Sequence, residues 1–328
     1  MMESLLNRRA FLAASAGGLV SCASSGALAQ PWPSRPLRIV CPAPVGGQTD
    51  LVARTLAEFF SRQLGQSVVV ENKAGGVGVI GITEVKRSPA DGYTLLYTTS
   101  GSLIQNRATI KDLPYDPDKD FTYLTTISGT GGLMLASRKT GAKNLKEFID
   151  YAKRAGRVNF GAYGAGSMPH LVIELLSRQY GFKIETINYR GEAPMWADVA
   201  SQTLDGAAGS YAGSLPVLQA GHGVAVATVG GRLPPLPEVA SLVEQGAQGK
   251  FFETRAFAVL AAPSGTPKEI VKRLSDLAYQ AGQDAKVKQV LSNYLLEAPV
   301  TFEAAQTRMR NDSDVLLALL KDLNIRPE

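Results

Sequence analysis

The sequence has few of the residues on which metal and nucleophilic enzyme sites are built. Its 328 residues include two cysteines, Cys22 and Cys41, and two histidines, His170 and His222. It contains no His-Glu-x-x-His motif, no cysteine cluster and no Gly-x-Ser-x-Gly motif. These absences argue against an enzyme, and we expect neither a catalytic residue nor a metal nor a cofactor.

The chain also lacks a disulfide framework and any block of basic residues. If residues 1–29 are removed, Cys41 remains alone, and its place in an apolar run predicts a small buried side chain. The 34 lysines and arginines exceed the 29 acidic residues by a net charge of +5, and they are spread along the chain. This distribution predicts no nucleic-acid partner and is compatible with an anionic ligand.

The only long apolar run lies at the N-terminus and is too short to span a membrane. The pair Arg8 and Arg9 precedes this run, and Ala27-Leu28-Ala29 follows it, which is the order of a twin-arginine signal peptide over residues 1–29. We therefore expect export to the periplasm. The segment 19–22, Leu-Val-Ser-Cys, also resembles a lipoprotein cleavage box, so a lipid anchor on Cys22 stays open.

The rest of the chain alternates short β-rich runs with amphipathic helices. The pattern predicts strands at 37–41, 68–70, 93–97, 157–160, 183–188, 223–229 and 256–261, and helices at 50–64, 83–87, 145–155, 168–180 and 193–202. Such alternation is typical of mostly parallel sheets, and here it predicts two α/β domains. A helical tail up to residue 323 should pack on the first sheet. The predicted domains are 30–136 with 254–328, and 137–253.

Residues 42–50 join the first predicted strand to the following helix. Ligands bind at the carboxyl ends of strands in open α/β sheets, and a helix N-terminus offers free N–H groups to an anion. Gly46 and Gly47 allow the backbone to approach a ligand closely. The alternative is that the glycines form a turn and Asp50 caps the helix. Both interpretations can hold together.

Two other segments resemble a dinucleotide-binding motif and a calcium-binding loop, but each lacks residues that such a site needs. Residues 76–81 match Gly-x-Gly-x-x-Gly, but Asp91 comes too early to serve as the acidic residue of a dinucleotide site. We expect a glycine-rich entry into a short helix instead. Residues 115–120 contain three aspartates, but Pro117 and Lys119 break the calcium-loop pattern. This segment predicts a surface turn.

Residues 161–170 form the matching feature of the second domain. A strand ends in a glycine-rich turn, and Ser167 is placed to cap the next helix, which predicts a second group of N–H donors. For His170, a structural or capping role is the simpler interpretation. Two such loops facing one cleft would hold a carboxylate from both sides.

These segments together resemble the extracytoplasmic receptors of tripartite tricarboxylate transporters, often called Bug receptors. The resemblance runs from about residue 32 to residue 325. It rests on seven segments that follow one another in the order typical of the family: 32–40, 44–50, 64–72, 91–96, 113–121, 166–170 and 262–267. It implies a type II-like periplasmic binding protein with two α/β domains, a ligand cleft and two crossovers. It also implies capture of a small organic carboxylate for the permease subunits, by a monomer that closes on its ligand like a Venus flytrap.

The resemblance further implies which residues bind the ligand. Those residues are Val45, Gly46, Gly47, Gln48, Thr49, Asp50, Ser100, Ser102, Asn106, Gly164, Ser167, His170, Tyr189, Arg190 and Asp205. For Asp205 a structural role is the alternative. Three positions depart from the family pattern. Ala43 stands where an aromatic residue is usual, Cys41 where an aliphatic residue is usual, and Arg255 where a tryptophan is common. Arg255 could therefore add a charge at the cleft mouth.

Two other functions fit the sequence less well. An exported hydrolase would need a nucleophile and a base, of which the chain has few. A sensor that presents its ligand to a signalling partner would share the fold and the cleft of a transport receptor.

Overall fold

The computed structural model describes residues 32–129, 131–164, 166–189 and 191–325. The predicted signal peptide, Cys22 and Arg190 lie outside these residues. The chain divides into two compact units, Met1–Ser34 and Arg35–Glu328. Of the first unit only residues 32–34 are described, with a cis peptide bond between Trp32 and Pro33. All the elements below belong to the second unit.

The first part of this unit contains four strands and four helices. In chain order they are β1 (Leu37–Cys41), α1 (Gln48–Leu64), β2 (Val68–Asn72), α2 (Val79–Lys86), β3 (Thr94–Thr99), α3 (Asn106–Thr109), α4 (Pro117–Asp120) and β4 (Phe121–Ser128). A 3₁₀ turn at Gly76–Gly78 precedes α2, and a π-helical turn at Gly101–Gln105 precedes α3.

The middle part contains five strands and four helices. They are β5 (Gly132–Ser137), α5 (Leu145–Ala155), β6 (Val158–Ala162), α6 (Met168–Tyr180), β7 (Ile184–Asn188), α7 (Glu192–Ala200), β8 (Gly206–Ser210), α8 (Tyr211–Gln219) and β9 (Gly223–Val229). Short 3₁₀ turns lie at Arg138–Thr140 and Lys250–Glu253. The last part contains β10 (Phe257–Pro263), α9 (Lys268–Ala281), α10 (Ala285–Asn293) and α11 (Phe302–Asp322).

The ten strands form two five-stranded sheets of the same design. Their strand orders are β2-β1-β3-β10-β4 and β7-β6-β8-β5-β9. In each sheet the first three strands in this order are parallel, and the fourth runs antiparallel to both of its neighbours. That fourth strand, β10 or β5, is the one that enters directly from the other sheet. The chain therefore crosses between the sheets twice, which confirms the predicted two-domain α/β fold of the periplasmic binding protein type.

Both crossovers connect to the same end of each sheet, the end at which its parallel strands terminate. The strands β1, β2, β3 and β4 end where β10 begins, and β6, β7, β8 and β9 end where β5 begins. We call this end of each sheet its carboxyl edge. Because residues 129–131 and 230–256 connect the two carboxyl edges, these edges border one junction. Ligands of open α/β sheets bind at such edges.

The domain limits remain a proposal, with one adjustment from the strand pairing. All six residues of β5 belong to the second sheet, and Gly132 pairs with Ser210 and with Val229. The first crossover therefore precedes the predicted limit between residues 136 and 137. The second limit, between residues 253 and 254, lies within the second crossover.

Apolar periodicity explains why the predicted elements form. In α1 the side chains of Val52, Leu56 and Phe60 recur on one stripe and are buried, and Gly65 ends the helix in the left-handed conformation with φ 66°. Phe148 of α5 and Phe160 of β6 pack edge to face in the core of the second sheet, with ring centroids 6.3 Å apart.

Several elements of the structure were not predicted. The sequence pattern predicted no strand at β4, β5 or β8 and no helix at α3, α4 or α8, and it placed the second helix at 83–87, whereas α2 runs from Val79 to Lys86. The C-terminal tail is three helices separated at residues 282–284 and 294–301. Contacts of α9 and α11 with β4, and of α10 with α1, place this tail on the first sheet, as predicted.

Candidate functional site

The loop that follows β1 is held in place by Asp50, the third residue of α1. This carboxylate is almost fully buried. It accepts hydrogen bonds from the Gly46 N–H at 2.8 Å, from Asn72 Nδ2 at 2.9 Å and from Arg54 Nε at 3.1 Å. Asn72 Nδ2 also donates to the Ala43 carbonyl oxygen at 3.1 Å. Asp50 therefore holds the loop directly at Gly46 and, through Asn72, at Ala43. Both of its carboxylate oxygens accept hydrogen bonds from protein donors.

Electrostatics favour the charged form of this carboxylate. Burial alone would raise the pKa of Asp50, but the hydrogen bond from Arg54, together with those from the Gly46 N–H and Asn72, lowers the pKa below its ordinary value. Arg54 Nη2 lies 3.0 Å from Asp50 Oδ1 and donates to Asn72 Oδ1 at 2.8 Å. The negative charge of Asp50 is thus balanced within the network, which leaves the loop able to accept an anion.

The helix that this loop introduces offers unused donors. Its first backbone hydrogen bond runs from the Leu51 N–H to the Gly47 carbonyl oxygen at 3.0 Å. The N–H groups of Gln48 and Thr49 come earlier and have no acceptor within the helix. The loop is exposed from Pro44 to Gln48, and Val45 keeps 73% of its surface open to solvent. Asp50 organises the turn, as the structural interpretation predicts. Binding of a ligand at the helix end stays a prediction.

Three of the predicted residues follow β3 at the same carboxyl edge. The Ser100 hydroxyl accepts from the Phe257 N–H at 3.4 Å, and Ser102 Oγ lies 3.3 Å from Thr99 Oγ1. Both side chains are half-buried. Asn106 is fully buried, and its Nδ2 donates to the Val77 carbonyl oxygen at 3.1 Å.

Asn106 therefore fastens α3 to the glycine-rich turn at Gly76–Gly78. A second donation, to the Tyr115 hydroxyl at 3.0 Å, uses the same amide group. The arrangement assigns Asn106 a supporting role behind the junction. The turn itself introduces α2, as expected from the sequence.

The loop between β6 and α6 is closed on itself. The Ser167 hydroxyl donates to the Gly164 carbonyl oxygen at 2.7 Å, and the Gly166 N–H donates to His170 Nδ1 at 2.9 Å. Ser167 occupies the N-cap position of α6 but accepts no hydrogen bond from the helix. Since the Ser167 N–H also bonds to Gly164, this loop holds fewer free donors than the sequence predicted. His170 shapes the loop, in agreement with its capping interpretation.

This loop nevertheless meets the segment that follows β3. A methyl group on Gly166 would lie 3.4 Å from Thr109 Cγ2 in α3 and 3.0 Å from Leu320 Cδ2 in α11. The structure therefore brings Gly166, in the loop after β6, next to Thr109, the last residue of α3.

Tyr189 and Asp205 lie at opposite edges of the second sheet. Tyr189 follows β7 at the carboxyl edge, where its hydroxyl donates to Asp198 Oδ2 at 2.6 Å. Asp205 precedes β8, at the other end of the sheet. Its carboxylate accepts from the Tyr151 hydroxyl at 2.7 Å and from the Asn159 N–H at 2.6 Å. Asp205 therefore lies away from the carboxyl edge, and its partners give it a structural role within the second sheet.

The carboxyl edge of the second sheet also carries residues that the sequence analysis did not select. Tyr163 follows β6, Glu192 begins α7, and Tyr211 begins α8. Each directly follows a parallel strand or its connecting turn, and that position could have identified them. Arg255 takes a different place from the expected one, because it pairs with Glu297 and with the Gly230 carbonyl oxygen at the second crossover.

Comparison with known proteins gives a consistent family relationship. A family model described as tripartite tricarboxylate transporter family receptor matches residues 52–317. Protein BugT of Bordetella pertussis is 31% identical over 267 residues, which is 80% of this chain and 81% of BugT.

Solved structures give the same relationship. A structure named R. palustris Rpa4515 with adipate has a TM-score of 0.76 and 30% identity, covering 90% of this chain and 100% of that one. MatC from Rhodopseudomonas palustris with bound malate has a TM-score of 0.68 and 27% identity, with 87% and 100% covered. Within the described residues, no helix is both long and apolar enough to cross a membrane.

Proposed function

Because the chain belongs to the tripartite tricarboxylate transporter family of receptors, we propose that it captures a small organic carboxylate outside the cytoplasm and delivers it to a membrane permease. The family and its solved relatives are solute-binding receptors and not enzymes, so the hydrolase hypothesis is set aside. The proposal adds a ligand class and a permease partner to the receptor fold.

The free N-terminus of α1 carries this proposal. The N–H groups of Gln48 and Thr49 point out of the first helical turn, and the helix dipole adds a partial positive charge there. Asp50 is occupied by Gly46, Asn72 and Arg54, so its charge does not oppose an anion in the loop. A carboxylate is an anion that fits such a site through charge-assisted hydrogen bonds.

The second sheet would supply the other wall of the cleft. Ser100 and Ser102 would extend the first wall, and Tyr189 would belong to the second. The relatives named above, solved with adipate and with malate, support a carboxylate ligand. A ligand that contacts both walls would favour a closed form by rotation at the two crossovers, a hinge motion.

Export and assembly complete the proposal. Residues 1–29 would direct the chain across the membrane and be removed, and the mature receptor would act as a monomer. A twin-arginine route requires that replacing Arg8 and Arg9 by lysine block export, which cell fractionation measures. Retention of wild-type export by this double variant would contradict the route and leave ligand binding unaffected.

A thermal-unfolding screen tests the ligand class. Small mono-, di- and tricarboxylates, each beside its neutral amide, should separate into acids that raise the unfolding midpoint and amides that do not, because ligand bound to the folded state stabilises it. Isothermal calorimetry then gives the affinity. If the amides or neutral sugars raise the midpoint and no acid does, the carboxylate proposal is wrong.

A further inference from the structure

The carboxylate of Glu192 reaches from the start of α7 to the start of α8. Its Oε2 accepts from the Ser210 hydroxyl at 2.7 Å and from Trp196 Nε1 at 3.3 Å. The Ser210 N–H donates to both carboxylate oxygens, at 3.1 and 3.2 Å. Ser210 is the N-cap residue of α8, where its hydroxyl also accepts from the Gly213 N–H at 3.0 Å. Glu192 is therefore fixed by donors on two neighbouring helices.

Two glycines leave the room that this carboxylate occupies. A methyl group on Gly213 would lie 2.2 Å from Glu192 Oε2, and one on Gly209 would lie 3.2 Å from the same atom. Neither φ is positive, so the backbone does not require glycine at these positions. The absent side chains instead create a seat that fits the Glu192 carboxylate.

The space at the start of α8 has the properties of an anion-binding site, and the Glu192 carboxylate occupies it. It lies at the N-terminus of the nine-residue helix α8, where N–H groups and the helix dipole favour a negative charge. The donors that hold Glu192 are a backbone amide, a hydroxyl and an indole, all of them neutral groups. They fix the carboxylate without cancelling its charge.

The seat borders the junction at which the ligand is proposed to bind. Glu192 begins α7, the helix that follows β7, and Ser210 is the last residue of β8, so both lie at the carboxyl edge, on either side of β6. The Tyr163 hydroxyl, just after β6, has a pKa raised by burial and raised further by the charge of Glu192. The charge of Glu192 therefore acts on the residue that follows β6, the strand between β7 and β8.

We propose that Glu192 determines ligand specificity by filling the anion seat of the second wall, so that the receptor selects monocarboxylates and rejects acids with a second carboxylate. The proposal rests on the proposed function, since it assigns the first carboxylate to α1. A second carboxylate would meet a like charge and an occupied seat, whereas a neutral distal group meets neither. Specificity of this kind arises from a repulsive element as well as an attractive one.

Matched ligand pairs test the proposal. Hexanoate and adipate differ by one terminal carboxylate, as do butyrate and succinate. Isothermal calorimetry on the full mature chain should give wild-type protein a preference of about ten-fold or more for each monocarboxylate. In Glu192→Gln this preference should shrink to about three-fold or less, while Glu192→Asp should keep it. The exposed Glu238, in the same part of the chain, provides the control Glu238→Gln, which should bind as wild type does.

Ionic strength gives a second measurement that needs no variant. The wild-type preference should decline as salt rises, because it comes from repulsion between charges. A wild-type preference for adipate over hexanoate would overturn the proposal, and so would an unchanged ratio in Glu192→Gln. If neither acid of either pair binds and other carboxylates also fail, the proposed function fails with it. If both acids bind and the ratio of their affinities is the same in wild type and in Glu192→Gln, the role of Glu192 is wrong while the proposed function stands.

Discussion

Arg255 forms an ion pair with Glu297 beside the second crossover. Its Nε also donates to the Gly230 carbonyl oxygen at 2.5 Å. Gly230 directly follows β9 of the second sheet, whereas the Glu297 N–H donates at 2.8 Å to the Ser128 carbonyl oxygen at the end of β4. One guanidinium therefore connects the ends of both sheets. The charge that the sequence analysis placed at the cleft mouth is used at the crossovers.

Removing this guanidinium should destabilise the fold. Arg255→Met leaves Glu297 and the Gly230 carbonyl without a donor, and we expect the free energy of unfolding to fall by about 1 kcal/mol, since both side chains are partly exposed. Urea denaturation measures this. Lys272→Met removes a lysine from the exposed pair with Asp276, where solvent screens the charges, and should leave the free energy of unfolding close to that of wild type.

A double-mutant cycle isolates the pair. Glu297→Gln combined with Arg255→Met should lose less than the sum of the single losses, because the two residues share one interaction. Fully additive losses would show that Arg255 acts through Gly230 alone.

The Asp50 network predicts a specific dependence of stability on pH. The folded-state pKa of Asp50 lies below its unfolded value of about 3.9. The unfolded state therefore binds the proton more readily, so the contribution of Asp50 is complete above about pH 5 and is lost as the pH falls through the folded-state pKa. At pH 7 we expect Asp50→Asn to lower the free energy of unfolding by about 1–3 kcal/mol.

Urea denaturation at several pH values checks this expectation. The difference between wild type and Asp50→Asn should be constant from about pH 6 to 8 and should shrink below about pH 4. The exposed Asp314 supplies the control, since Asp314→Asn should remain close to wild type throughout. A difference that grows as the pH falls would contradict the sign of the shift.

Gly131 marks a position where the first crossover tolerates no side chain. Its φ is +123°, and an added methyl group would lie 2.2 Å from the Val229 carbonyl oxygen, a backbone atom. We expect Gly131→Ala to cost about 3 kcal/mol or more. Gly141 has a φ of +72° with open space around it, so Gly141→Ala should cost only about 1 kcal/mol. Thermal unfolding of the two variants measures both costs. If Gly131→Ala and Gly141→Ala lost equal stability, the backbone at Gly131 would have moved away from the Val229 carbonyl oxygen.

Several elements of the fold could be predicted from a distinct hydrophobic pattern, although β4 and β5, which also carry apolar patterns, were missed. Helix α1 has a regular apolar stripe, and β1 is a short run of apolar residues. Strand β8 was missed because its sequence, Gly-Ala-Ala-Gly-Ser, carries no hydrophobic signal. Its small side chains are required by packing instead, since a methyl group on Gly206 would lie 2.8 Å from the Leu135 carbonyl oxygen.

The site could be predicted only as far as local sequence determines it. The loop before α1 follows from a strand, two glycines and a helix start, all within ten residues. The seat of Glu192 depends on Ser210 and Gly213, about twenty positions away, and only the pairing of β6 with β7 and β8 brings them together. The hydrogen bond from the Gly166 N–H to His170 joins residues four positions apart, so a structural role for this histidine could be inferred from local sequence.

The central claim is that backbone N–H groups at the start of α1 hold the carboxylate. Gln48 and Thr49 are the first two residues of this helix, where proline is tolerated, and Gly47 before them is extended with φ −73° and ψ 166°. Proline at either position removes one N–H without a loss of helical hydrogen bonds. Alanine at the same position removes the side chain but keeps the N–H.

Isothermal calorimetry of the best-binding carboxylate on these two pairs is the most direct test. At one or both positions, the proline variant should bind about ten-fold or more weakly than its alanine partner, which is the loss of one charge-assisted hydrogen bond. Unfolding midpoints without ligand should agree within each pair. Equal affinities of proline and alanine variants at both Gln48 and Thr49 would contradict the account.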